Sequence, residues 1–208
     1  IQKVNTQRVP VQSQFRDVFD LGKGIYVSNE FDGARLNGIT MVYDTISTLI
    51  TSENTPINTS PWYAFKLWAD KEQEITLALT YQENVNHRYH PKKSLDGVIY
   101  KQMDSSEFFI NKKMVEGELK SSSATMRLSL GPDTLWNYAQ ELHTTSNDNL
   151  WTDELSQKSF IPKTKAGERR EGRQINVLKI GESDDKAMIV VIARQHPPEL
   201  TGYLEMQA

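Results

Sequence analysis

Two side chains near position 200 are of the types that hold a metal ion. His196 and Glu199 stand three apart in the run ARQHPPELTG, and imidazole with carboxylate is a usual donor combination for catalytic zinc. Pro197 biases His196 toward an extended backbone, and Pro198 has no N–H to give. The pair therefore does not share one helix face. His196 closes the segment before it, and Glu199 opens an expected helix over ELTGYLEMQA.

That preceding segment, AMIVVIA at 187–193, is apolar on both faces. Such a run reads as a strand covered on both sides inside an α/β domain, and open α/β sheets gather ligands at the carboxyl ends of their strands. Other side chains compete for a role. His87 and His90 in NHRYHP imitate a metal pair but fall between a strand and a Pro-containing turn, where a solvated loop is expected. His143 reads as the cap of a helix carboxyl end, where the dipole favours a cation. Trp62, Trp68, Tyr63 and Phe65 read as core or as a carbohydrate platform, and only the face with Trp62 and Trp68 stays open to the second role. GERREGR reads as a solvated charged loop.

The elements needed to position these residues fall into two halves. Strict alternation in WYAFKLWA and EITLALTYQ marks half-buried antiparallel strands, joined by DKEQ, a polar turn suited to a hairpin. Further strands are expected at 39–43, 46–51, 98–103 and 126–130. Turn clusters at such intervals point to a two-sheet sandwich. After Leu130 the period changes. Gly131-Pro132-Asp133 reads as a stop and a helix cap, and Leu135, Trp136, Tyr138, Ala139 and Leu142 recur at helical spacing. A second short helix is expected in LWTDELSQKSF, a loop in KTKAGERREGRQ, and short strands in INVLKIG and AMIVVIA. The expected class is thus α+β and multi-domain: an antiparallel β-sandwich over 1–130, then the first elements of an α/β domain over 131–208.

Composition narrows the partners. The chain has 208 residues and a net charge of −3 over mixed-sign surfaces, which gives no footprint for nucleic acid or an anionic membrane. Its longest apolar run is far short of the ~20 residues that span a bilayer. With no cysteine, disulfides, thiolate metal sites and cysteine nucleophiles are excluded. Such a chain suits a periplasmic or secreted setting or the cytoplasm. Ile1 opens a polar segment, as after removal of a leader or in a trimmed chain.

The strand-plus-HPPE arrangement resembles the zinc carboxypeptidase family, in the branch similar to cytosolic carboxypeptidases. GERREGRQINVLKIG resembles the family's G-x-S-x-x-G-R segment, with Gly172 and Arg173 matching and Glu168 or Arg169 in place of the serine. FDGARL, PWYAFKLWA and HRYHPKKSLDG resemble its accessory sandwich. The resemblance implies that His196 and Glu199 are two of three protein ligands to Zn2+, and that the substrate is the C-terminus of a peptide or protein. It implies a metal that polarises the scissile carbonyl and acidifies a bound water. It also places the third ligand, the carboxylate-binding arginine and asparagine, and the general base downstream of Ala208. No catalytic residue is therefore assigned within this chain, which would be the inactive front part of a larger enzyme. The strand at 187–193 would then be uncovered and could pair with another copy. A reading from another class is a glycan- or peptide-binding sandwich with a non-catalytic remnant tail.

Overall fold

Alternating sequence becomes paired strand over most of the first two thirds of the chain. The computed structural model describes residues 13–52, 60–82, 85–168, 172–181, 187–193 and 199–208. Two compact units divide it, 1–142 and 143–208. Strand dominates, with few helices.

In chain order the first unit carries β1 (Val18–Asp20), β2 (Ile25–Ser28), β3 (Gly38–Val42), β4 (Thr45–Ile50), β5 (Ala64–Ala69) and β6 (Gln73–Tyr81). There follow β7 (Lys92–Ser94), β8 (Lys101–Gln102), β9 (Phe108–Val115), β10 (Glu118–Leu130) and β11 (Leu135–Tyr138). One sheet runs β1-β2-β5-β11-β7-β8 and the other β3-β4-β6-β10-β9. Pairing is antiparallel except between β4 and β6. Both sheets feed one buried cluster. Val27, Phe65, Leu67 and Tyr138 enter from the first, and Ile46, Leu77, Leu79, Met126 and Leu130 from the second. Each large side chain so buried is worth about 1.5–3 kcal/mol.

The two clearest alternations hold along β5 and β6, but these strands lie in different sheets, so DKEQ links the sheets and closes no hairpin. In β5, Phe65 and Leu67 are fully buried while Lys66 and Trp68 are partly exposed. In β6, Ile75, Leu77 and Leu79 point inward, and β6 pairs with β10 from Leu79↔Ala124 to Gln73↔Leu130. The β9–β10 hairpin turns through Glu116 and Gly117, both at positive φ (52° and 82°). Two such residues make the turn whose twist matches antiparallel strands.

The expected helix after Asp133 is not formed. Residues 135–138 are β11, which lies between β5 and β7 and pairs with both. Its aromatic residues suit a pleated surface, and the slot between β5 and β7 overrides the helical spacing. Asn137 is fully buried in this strand, and its amide donates to the Sδ of Met126 at 3.6 Å. The division between units accordingly falls after Leu142 rather than near residue 131. In the expected strand 98–103, only Lys101–Gln102 pairs, with Val98 and Ile99 exposed.

The second unit holds α1 (Thr145–Ser156), β12 (Lys163–Glu168), β13 (Gln174–Leu178) and α2 (Thr201–Gln207). Thr144 caps α1 in a reciprocal box with Asn147, so the polar TTSN run starts a helix instead of ending one. The expected charged loop is in part β12, paired antiparallel with β13. The run 187–193 forms no strand. Its five large apolar residues are exposed, from Val190 at 63% to Ile189 at 89%. A strand exists only through its ladder partners, and among the described residues none pairs with this segment.

Candidate metal centre

Glu199 sits one residue before Leu200, the N-cap of α2, and is exposed. A carboxylate there is favoured by the positive end of the helix. Leu200 and Tyr203 are buried and anchor the short helix. The Tyr203 ring lies 4.6 Å from the His143 ring and 5.8 Å from Trp151. His196 lies outside the described residues, so its distance to Glu199 is not part of the geometry. Among the described residues no group of three or more His, Asp or Glu side chains could hold a metal. Zinc needs three or four donors. The described residues thus present one of the two expected ligands and do not by themselves close a zinc site.

The surroundings of α2 within the same unit are ordered by polar contacts. His143 precedes the α1 cap and meets Asp148 Oδ1 through Nε2 at 2.9 Å. It therefore stands at the amino end of a helix, not at the carboxyl end expected of it. Arg173 donates to the Thr145 hydroxyl at 3.4 Å, Asn176 to Asn149 at 3.2 Å, and Lys163 to Asp153 at 2.7 Å. These bonds tie α1 to the β12–β13 hairpin, and Arg173 is one of the two residues that matched the G-x-S-x-x-G-R pattern.

His87 and His90 do not converge on a metal. His87 is buried, not solvated. Its Nε2 lies 2.6 Å from the Tyr89 carbonyl, and its Nδ1 lies 2.6 Å from the Tyr81 hydroxyl. A carbonyl only accepts, so Nε2 carries the proton and Nδ1 accepts from Tyr81. Both ring nitrogens are used. Burial holds the imidazole below its ordinary pKa, partly offset by the bond to Tyr89. His90 is exposed and donates through Nε2 to the Met103 carbonyl at 2.7 Å. His87 is a structural histidine that tethers the 85–91 segment to β6.

The aromatic face resolves unequally. Trp62, Tyr63 and Phe65 are buried core. Trp68 is partly exposed and lines an open groove with Ser28, Glu30, Lys66, Pro132 and Thr134. Lys66 was not singled out by the sequence. Its neighbours Phe31 and Trp136 come from distant segments, and only the β2-β5-β11 register brings them together.

No family model matches the sequence, and no curated protein matches it. Solved structures do, and the class they define is the metallo-carboxypeptidase fold. The chain is similar to a metallo-carboxypeptidase from Burkholderia cenocepacia, with TM-score 0.58 and 14% identity, over 78% of this chain and 41% of that one. It is also similar to a metallo-carboxypeptidase from Pseudomonas aeruginosa in complex with (2-guanidinoethylmercapto)succinic acid. There the TM-score is 0.53 at 14% identity, over 76% of this chain and 41% of that one. At such identity the likeness is one of fold. The chain spans about two fifths of the length of these structures.

Proposed function

We propose that this chain is the N-terminal portion of a zinc-dependent metallocarboxypeptidase that removes C-terminal residues from peptides or proteins. The observation that carries this reading is the fold likeness over more than three quarters of the chain. The HPPE motif supports it independently. In this reading the two sheets are an accessory β-sandwich, and the second unit holds the first elements of the catalytic α/β domain. His196 and Glu199 supply two zinc ligands. The third ligand, the general base and the groups that grip the substrate carboxylate belong to the remainder of the protein. The finer assignment, to the branch similar to cytosolic carboxypeptidases, rests on the motif pieces alone. The Pseudomonas structure is a complex with a small succinic acid derivative, which is in keeping with a site that takes carboxylate-ended substrates.

The test starts with the 208-residue chain. Groups that merely orient a metal ligand are worth about 10–100-fold in affinity or activity, so a missing ligand costs more. A placed general base is worth about 10²–10⁴-fold. The expected result is weak zinc binding by calorimetry, abolished in His196→Ala, and no release of C-terminal amino acids. Robust chelator-insensitive release by this chain would overturn the reading.

A further inference from the structure

The outward side of β5 builds a site that the metallopeptidase reading does not use. Register sets Lys66 opposite Ser28 on β2 and Trp136 on β11, and sets Trp68 opposite Tyr26. Of these, Ser28, Lys66 and Trp68 line an open groove of about 380 Å³ with Glu30, Pro132 and Thr134, near the lower end of ligand pockets, which run from about 300 to 1,000 Å³. The Lys66 ammonium sits 3.9 Å from the Trp136 ring centroid and 4.9 Å from that of Phe31. Two π faces therefore fix its position. Tyr26 stacks against Trp68 at 5.7 Å and 18°, which braces the indole beside the groove. Ser28 is buried, and its Oγ accepts from the Glu30 N–H at 3.1 Å, so its hydroxyl still has a proton to donate.

These groups define what fits. Glu30 accepts and Lys66 donates. The two hydroxyls do both, and Trp68 with Pro132 offers apolar surface. Glu30 and Lys66 balance in charge, so a simple ion of either sign gains little there. A purely apolar ligand would bury both charges unpaired, at a cost. A pyranose meets every requirement: its C–H face packs on the indole, and neighbouring hydroxyls donate to Glu30 and accept from Lys66. We infer that this groove binds a neutral pyranose ring of an oligosaccharide. A zwitterionic peptide could lay its ends on the same two charges. Lys66, however, already shares its charge with two rings and is a poor trap for a carboxylate.

The experiment titrates the 208-residue chain with cellotetraose, maltotetraose and chitotetraose at millimolar concentrations, and with trialanine in a parallel arm. The readout is the indole N–H signals in a heteronuclear NMR spectrum. The expected result is saturable perturbation of the Trp68 signal by at least one sugar, with Trp62 and Trp151 unmoved and no effect of trialanine. Trp68→Ala and Glu30→Gln should each weaken binding about tenfold, or ~1.4 kcal/mol. Glu30 is exposed, so Glu30→Gln keeps the test informative should Trp68→Ala fold poorly. No sugar response at Trp68, a response to trialanine instead, or full affinity in Glu30→Gln would each overturn the inference. None of these outcomes bears on zinc or on peptide hydrolysis.

Discussion

His87 shows how much a single residue can depend on its neighbours. Both ring nitrogens are bonded within the first unit, and burial depresses its pKa. The unfolded chain binds a proton near the ordinary imidazole value of about 6.5, while the folded chain resists it. The stability His87 contributes is therefore complete above that value and is lost as pH falls toward and through the lowered native pKa. Urea unfolding should show a midpoint that drops between pH 7.5 and 5.5, and the drop should be smaller in His87→Gln. His87→Ala leaves the Tyr81 hydroxyl and the Tyr89 carbonyl without these bonds, at about 2–3 kcal/mol. Glu199→Ala removes an exposed side chain and should change stability by no more than about 0.5 kcal/mol. Denaturation curves would check both. The burial of His87 was not legible in the sequence, because NHRYHP is polar and its contacts with Tyr81 and Phe108 depend on tertiary folding. The expectation that His196 and Glu199 are metal donors rests on type and spacing alone, and His196 lies outside the described residues.

Among the elements, legibility followed how local the signal was. Strands β5 and β6 declare themselves because a half-buried strand imprints period two on its own residues. Strand β11 does not, since its apolar residues satisfy helical spacing and only the gap between β5 and β7 decides. Its place in the sheet has a consequence. A fragment ending at residue 130 removes β11, cuts β7 and β8 off the first sheet and uncovers Phe65 and Leu67. A fragment ending at 142 keeps the whole sheet. Amide-exchange and thermal melts should show a cooperative fold for 13–142 and none for 13–130; equal stability of the two would contradict the assignment of β11. The segment 187–193 raises the opposite problem. Its run of apolar residues reads as a strand, but the described residues supply no ladder for it and it forms none. Five large apolar side chains are worth roughly 7–15 kcal/mol if fully covered, a strong drive to associate. Sedimentation should detect concentration-dependent self-association of the 208-residue chain, abolished by the pair Ile189→Glu and Val191→Glu. A strictly monomeric wild-type chain would count against it.

The molecule as a whole is mostly β with few helices, its fold is like that of metallo-carboxypeptidases, and it spans about two fifths of the length of those structures. The division of labour proposed above assigns a β-rich unit that supports or recruits, and a second unit that brings two metal donors to a centre completed elsewhere. The sugar groove, if occupied, gives the β-rich unit a recognition role separate from the chemistry. The central claim is that His196 and Glu199 ligate a catalytic zinc. Its most direct test is release of C-terminal amino acids by the longer protein proposed to contain this chain, measured beside its zinc content. The account predicts about one zinc per chain, as a three-ligand catalytic site holds, and activity abolished by chelator and restored by zinc. It further predicts loss of both metal and activity in His196→Ala and in Glu199→Ala without loss of folding. Full activity and full zinc content in His196→Ala would contradict it.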